Sequence, residues 1–295
     1  MIDGHVRSAG ALWFLGCLLG PVAAQDHPVL HQLRQAVARD AAVVAHRGAS
    51  ETHPENTVAA LRAARVGGAH VVEFDVHQTK DGAWVLLHDA TCDRTTDAVA
   101  KFGRKEVRVD ELTLAEVATL DAGSWRDTAF AGERVPTLEA ALAAVFPAVP
   151  MIERKGGDAA ALVAELRRLE VVDRVLVQAF DWDWLAAVHR AEPKLLLGAL
   201  GGKELTPERL DRALAIGARL VHWDHRTLDV IAASMVRERG ALLCVYTVDP
   251  DMVLVGAAAI GCDLITTNRP DRAIMLRDLG ALARPRAKTQ HERGR

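Results

Sequence analysis

The strongest constraint on the fold is a repeated alternation. Short apolar runs recur along the chain, and each is followed by a segment with helical periodicity. The runs are Ala42–Ala45, Val71–Val76, Val149–Glu153, Arg174–Gln178, Lys194–Gly198, Arg219–Trp223, Leu242–Val248 and Asp263–Thr266. Strands that are apolar nearly end to end are buried on both faces, as in a parallel sheet covered by helices. Helix starts carry capping chemistry at Asn56 or Thr57, Asp181, Thr206-Pro207 and Asp249-Pro250, and Gly67, Gly217, Gly240 and Gly261 sit where helices stop. About eight such units in roughly 250 residues predict an α/β fold, a (β/α)8 TIM barrel, over an open doubly wound sheet.

One stretch interrupts the pattern. Residues 106–136 lack a convincing strand and hold only a capping box, Thr113-Leu-Ala-Glu116, so an insertion over one mouth is expected after the strand ending in His88. The first 24 residues read as a secretory signal peptide: Arg7, an apolar run from Ala9 to Leu19, Gly20-Pro21, and small residues before cleavage near Ala24. Residues 25–283 are then one domain and 284–295 a basic, flexible tail, with export to the periplasm or medium expected. No segment of the mature chain approaches membrane-spanning length. A formal charge of -3 gives no electrostatic footprint for nucleic acid. Only four cysteines are present, and the odd set left after cleavage, Cys92, Cys244 and Cys262, leaves at least one thiol unpaired within a chain.

A barrel places its chemistry where strands end. Four such ends are ionisable: His46-Arg47-Gly48, Glu73-Phe-Asp75, His88-Asp89 and Glu153-Arg-Lys155. Glu73 and Asp75 alternate on one strand and so face the same side, and Glu153 can add a third hard oxygen ligand for Ca2+ or Mg2+. Any one of these acids alone is more simply an ion pair or a helix cap. Asp81-Gly82 between two strand-like runs signals a hairpin. A two-residue loop there pairs Asp75 with His88, whereas a bulged glycine puts His88 opposite Phe74; the first register is expected. Among twelve histidines, His46 and His88 stand out because each ends an apolar strand beside a charged residue. They suit an acid and base pair, and Arg47 and Lys155 suit the grip on a phosphate. Gln178 and Tyr246 are accessory candidates. Glu55 can hold Arg47, while His53 is read as loop, His77 as outer hairpin face, and Trp125, Trp182 and Trp223 as packing.

These motifs resemble the glycerophosphodiester phosphodiesterase family, through Val44-Ala-His-Arg-Gly-Ala-Ser50, Pro54-Glu-Asn-Thr57, Val72-Glu-Phe-Asp-Val76, Leu86-Leu-His-Asp89, Ile152-Glu-Arg-Lys155 and Thr267-Asn-Arg-Pro-Asp271. The resemblance implies a barrel enzyme. In it His46 and His88 are acid and base, Glu73, Asp75 and Glu153 bind one divalent metal, and Arg47 and Lys155 hold the phosphate of a small glycerophosphodiester. Products would be glycerol 3-phosphate and an alcohol such as choline or ethanolamine. Tyr246 stands where many members have tryptophan, and Asn268 where aspartate is common. Rival readings are a lysophospholipase D or sphingomyelinase D activity on a lipid, and a non-catalytic exported barrel that binds phosphodiesters.

Overall fold

The computed structural model describes residues 27–285. The signal-peptide reading of residues 1–24 lies outside them. Nine strands form one sheet: β1 (Ala42–Ala45), β2 (Val71–Gln78), β3 (Trp84–Leu86), β4 (Val149–Arg154), β5 (Leu176–Ala179), β6 (Leu196–Gly201), β7 (Ala218–Asp224), β8 (Leu242–Tyr246) and β9 (Leu264–Thr267). Their order is β1-β9-β8-β7-β6-β5-β4-β2, and β1 pairs with β2, so eight parallel strands close on themselves. Helices follow the strands around the outside. β3 alone is antiparallel and hangs on β2 as a hairpin. The chain is a (β/α)8 TIM barrel.

Strand alternation sorts the side chains into two apolar layers. Val43, Val72, Phe74, Ile152, Val177 and Val221 face outward onto the helices. Ala42, Val44, Val71, Met151, Leu176 and Leu264 face inward and fill the lower barrel. That inner layer is closed from below by a helix before the first strand, Pro28–Ala36, through Val29, Leu30 and Leu33. This plug lies outside the strand–helix alternation from which the barrel is expected.

Most helix ends follow the expected chemistry. Thr57, Asp181 and Thr206 are N-caps whose side chains accept from the first-turn N–H groups. Asp249 is not: the helix begins at Asp251 after Pro250, and the Asp249 carboxylate turns instead to Thr267 and Asn268. Gly67 caps the C-terminus of helix Val58–Val66 as expected, and the left-handed residue is Gly68 just after it. Arg284, expected in the frayed tail, donates its N–H to the Arg39 carbonyl at 2.9 Å and pairs with Asp263.

The excursion before β4 has its own small core, reaching back from Val107, Leu112 and Leu120 to Leu87 and Cys92. The capping box at Thr113 and Glu116 is present. All three described cysteines are buried free thiols. No helix among the described residues is long and apolar enough to cross a membrane.

The hairpin register corrects the expectation. Val76 pairs with Leu86, His77 with Val85 and Gln78 with Trp84, so the frame is the bulged one that sets His88 opposite Phe74. The cause is local: Gly82 takes φ +88°, and the Thr79 N–H donates to the Ala83 carbonyl at 2.8 Å, which adds a residue to the turn.

Candidate active site

The C-terminal ends of the strands open into a cavity of about 200 Å³. Its lining brings together His46, Arg47, Glu73, His88, Glu153 and Lys155, with Gln178 and Tyr246 at the floor and rim. His88 arrives there although its strand register points elsewhere. β3 ends at Leu86, and the irregular chain beyond it turns the imidazole back toward the mouth.

Glu73, Asp75 and Glu153 offer one oxygen each within 4.8 Å of one another. The sheet register explains this convergence, since Asp75 lies directly beside Glu153 on the neighbouring strand. Burial first, then the charges of Asp75 and Glu153, push Glu73 well above the usual carboxylate range. Burial and Asp75 likewise raise Glu153 to about 7. Asp75 goes the other way, because Lys155, Arg47, His88 and the Asn56 amide together outweigh its burial and keep it anionic. Glu73 Oε1 is buried without a hydrogen-bond partner, and Asp75 Oδ1 is buried with only the Lys155 ammonium, 3.3 Å away, beside it. A cluster of hard oxygens, one of them buried and unsatisfied, fits a divalent cation, so the donor set can hold a metal ion.

Cations frame the cluster. Lys155 Nζ lies 3.3 Å from Asp75 Oδ1 and also contacts Glu153. Arg47 Nε lies 3.3 Å from Asp75 Oδ2, and another of its nitrogens meets Glu55 at 2.9 Å. The Arg47 backbone N–H donates to Glu73 Oε2 at 2.9 Å. That bond needs the left-handed turn at Arg47, φ 54°, followed by Gly48 at φ +82°. A Cβ on Gly48 would stand 2.6 Å from the Ala60 carbonyl carbon, so only glycine lets the loop lie against the helix.

Both imidazoles are anchored at Nδ1. His46 Nδ1 meets Asn268 Oδ1, and burial followed by the Arg47 charge lowers its pKa to about 4. His88 Nδ1 meets Asp89 Oδ1 at 2.7 Å, and Arg94 grips the same carboxylate at 2.6 Å, holding it far below its ordinary pKa. Nε2 is thus the free nitrogen of each ring.

Several supports were missed in the sequence. Asn56, read as a cap, donates to Asp75 Oδ2 at 2.8 Å and accepts from the Asp75 N–H at 3.1 Å. Glu55 holds Arg94 as well as Arg47. His222 lies inside an apolar strand next to Trp223, with no local pattern that marks it as functional. His77 is buried and touches the His88 carbonyl, so it is not on an outer face. His53 is half-buried against Phe130, and Trp125 is exposed instead of packed. Trp223 is buried and Trp182 half-buried, both outside the cavity lining.

Two histidines, a carboxylate cluster and two cations at the C-terminal mouth of a barrel define a hydrolase of phosphoric diesters. Residues 46–272 match the glycerophosphoryl diester phosphodiesterase family, and this chain belongs to that family. It is 33% identical over 248 residues to a glycerophosphodiester phosphodiesterase of Caldanaerobacter subterraneus, covering 79% of this chain and 96% of the relative. A Bacillus subtilis glycerophosphodiester phosphodiesterase is 32% identical over 77% of this chain and 83% of its own length. Among solved structures, the Agrobacterium tumefaciens glycerophosphodiester phosphodiesterase superposes with TM-score 0.67 at 28% identity, over 80% of this chain and 99% of that one. An Oleispira antarctica phosphodiesterase in complex with sn-glycerol-3-phosphate shares the fold, with TM-score 0.73 at 24% identity, over 81% and 97% of the two chains.

Proposed function

We propose that the chain hydrolyses small glycerophosphodiesters, such as glycerophosphocholine or glycerophosphoethanolamine, to glycerol 3-phosphate and an alcohol. The observation that carries this reading is the meeting of both imidazoles with Glu73 and Glu153, backed by Asp75, in one cavity of about 200 Å³. That volume is small against the roughly 300–1,000 Å³ of sites for drug-sized ligands. It favours a deacylated diester over a lipid with its acyl chain. Phe180 and Leu200, both in the lining and the first of them exposed, favour the lysolipid alternative.

Glu73, Asp75 and Glu153 would hold one divalent cation, Ca2+ or Mg2+. Bound there, it would neutralise charge developing on the phosphoryl oxygens. Arg47 and Lys155, already at the carboxylates, turn toward the phosphate and fix its orientation. His46, neutral at working pH, takes the proton of the attacking oxygen at Nε2. His88 acts as the imidazolium, its Nδ1–H held by Asp89 Oδ1, and passes its Nε2 proton to the leaving alcohol. Export after cleavage near Ala24 belongs to the same reading and rests on the sequence pattern of residues 1–24.

The test offers glycerophosphocholine, lysophosphatidylcholine and sphingomyelin separately to the purified chain with Ca2+ or Mg2+, and reads products by phosphorus NMR. Glycerol 3-phosphate from the first substrate alone supports the reading. Preference for either lipid replaces it with the lipid-directed alternative, and binding without turnover of any substrate leaves the non-catalytic barrel.

A further inference from the structure

The cavity floor carries a line of buried polar side chains that the acid, base and metal roles leave unused. Cys244 Sγ lies 3.4 Å from Thr266 Oγ1, which lies 2.9 Å from His222 Nε2. His222 Nδ1 lies 2.7 Å from Gln178 Oε1. All four residues are almost completely buried, on β5, β7, β8 and β9. A carboxamide oxygen only accepts, so Nδ1 of His222 carries the proton and Nε2 accepts from the Thr266 hydroxyl. One group at the end of this line is unsatisfied: the Gln178 Nε2 amide is buried without a partner, on a residue of the cavity lining.

We propose that Gln178 donates this N–H2 to an oxygen on the glycerophosphate half of the substrate, and that His222 is the positioning residue that keeps the donor turned toward the cavity. The assignment rests on the phosphodiesterase reading. It also separates Gln178 from the neighbouring metal ligands: Gln178 pairs in register with Glu153, yet its oxygen is committed to His222 and is not free to coordinate. The imidazole is itself well fixed. Tyr246 packs edge-on against it, 5.1 Å between ring centroids. Burial lowers its pKa to about 3, so it stays neutral near neutral pH, and the Gln178 and Thr266 contacts select the tautomer. Opposite Gln178, Gly198 leaves the space that the side chain needs, since a Cβ there would approach the Gln178 Cβ to 3.3 Å.

The experiment measures calorimetric affinity for sn-glycerol 3-phosphate and for inorganic phosphate, using the full chain supplied with divalent metal. Gln178→Leu and His222→Leu should each weaken glycerol 3-phosphate by about tenfold, the loss of one hydrogen bond to a polar or charged group. The double variant should be no worse than either single one, because the two act as a unit. His222→Asn, whose Nδ2 stands in for the imidazole Nδ1, should recover most of the affinity. A parallel loss for inorganic phosphate puts the acceptor on the phosphoryl group, and a loss confined to glycerol 3-phosphate puts it on a glycerol hydroxyl; both support the assignment. Unchanged affinity in Gln178→Leu, or additive losses in the double variant, overturn it. Nitrogen NMR of the unsubstituted protein gives an independent reading, with His222 protonated at Nδ1. Absence of diester turnover in the unsubstituted chain contradicts the phosphodiesterase reading, whereas an Nε2-protonated His222 contradicts this assignment even in an active enzyme.

Discussion

Asn268 Oδ1 lies 2.6 Å from His46 Nδ1, and the amide is held in that sense from behind by Asp249. Asn268 donates its side-chain N–H to Asp249 Oδ2 at 2.8 Å and its backbone N–H to Oδ1 at 2.9 Å. Its oxygen is therefore the atom turned to His46, which must donate from Nδ1. Burial and the Arg47 charge lower the ring's pKa to about 4, so near neutral pH this tautomer is uncharged and keeps its lone pair at Nε2.

Asn268→Asp places an anion against that N–H and favours imidazolium. The His46 pKa then rises from about 4. Since the neutral ring is the active form, the acid limb of the kcat/KM profile should move up by about one to two pH units. A pH profile of the variant with an unmoved acid limb contradicts the role given to His46.

Glu153 illustrates the cost of assembling the carboxylates. Its pKa in the fold, about 7, stands above the ordinary 4.5, so the folded chain binds more protons between those values than the unfolded one. Without divalent metal, stability should be greatest below pH 4.5 as far as this group is concerned, and should decline as pH rises through 7. Calorimetric scans of chelator-treated protein from pH 5 to pH 8 should show that decline, and added Ca2+ should raise Tm most at the upper end.

Glu153→Gln removes the repelling charge while keeping the shape. The metal-free variant should melt higher than the unsubstituted chain at pH 8, by about 5 °C. Its diesterase activity should fall at least about a hundredfold. A variant that is less stable and still active would argue that Glu153 is only the partner of Lys155.

How much of this was legible in the sequence depended on the kind of signal. The strand cores were, because a parallel strand covered on both faces has to be apolar whatever its neighbours are. His46, Glu73, Asp75, His88 and Glu153 stood out as ionisable groups closing such runs, and the cavity gathers all of them except Asp75 into its lining, with Asp75 directly behind. The hairpin frame was not legible, because Asp81-Gly82 is compatible with both a two-residue turn and a glycine bulge. Asn56, Asn268 and His222 act through partners far away in the chain, and a carboxamide or a lone histidine has no local pattern that announces such a partner. The plug helix Pro28–Ala36, nine residues long and outside the strand–helix alternation, carries no signal that reads as part of a barrel.

That plug is nonetheless part of the core. Leu33 is 1% exposed beneath the inward layer. Leu33→Ala should cost about 2–5 kcal/mol in denaturant unfolding, with the KM of the remaining folded enzyme unchanged. A loss under about 1 kcal/mol would mean that the barrel floor closes without the helix.

Gly48→Ala probes the loop that carries His46 and Arg47. Positive φ and the contact with Ala60 both oppose a methyl group there, for a combined penalty of about 2–4 kcal/mol. Activity should fall as well, since relaxing the loop breaks the Arg47 N–H bond to Glu73. A fully active, equally stable variant would contradict the strain argument.

The account turns on the carboxylate cluster serving a metal in diester hydrolysis. The direct measurement is glycerol 3-phosphate release from glycerophosphocholine by chelator-treated protein as Ca2+ is titrated back, in the unsubstituted chain and in Glu73→Gln. The account predicts no release without metal, recovery that saturates at one ion per chain, and no recovery in the variant. An undiminished rate in excess EDTA would contradict it.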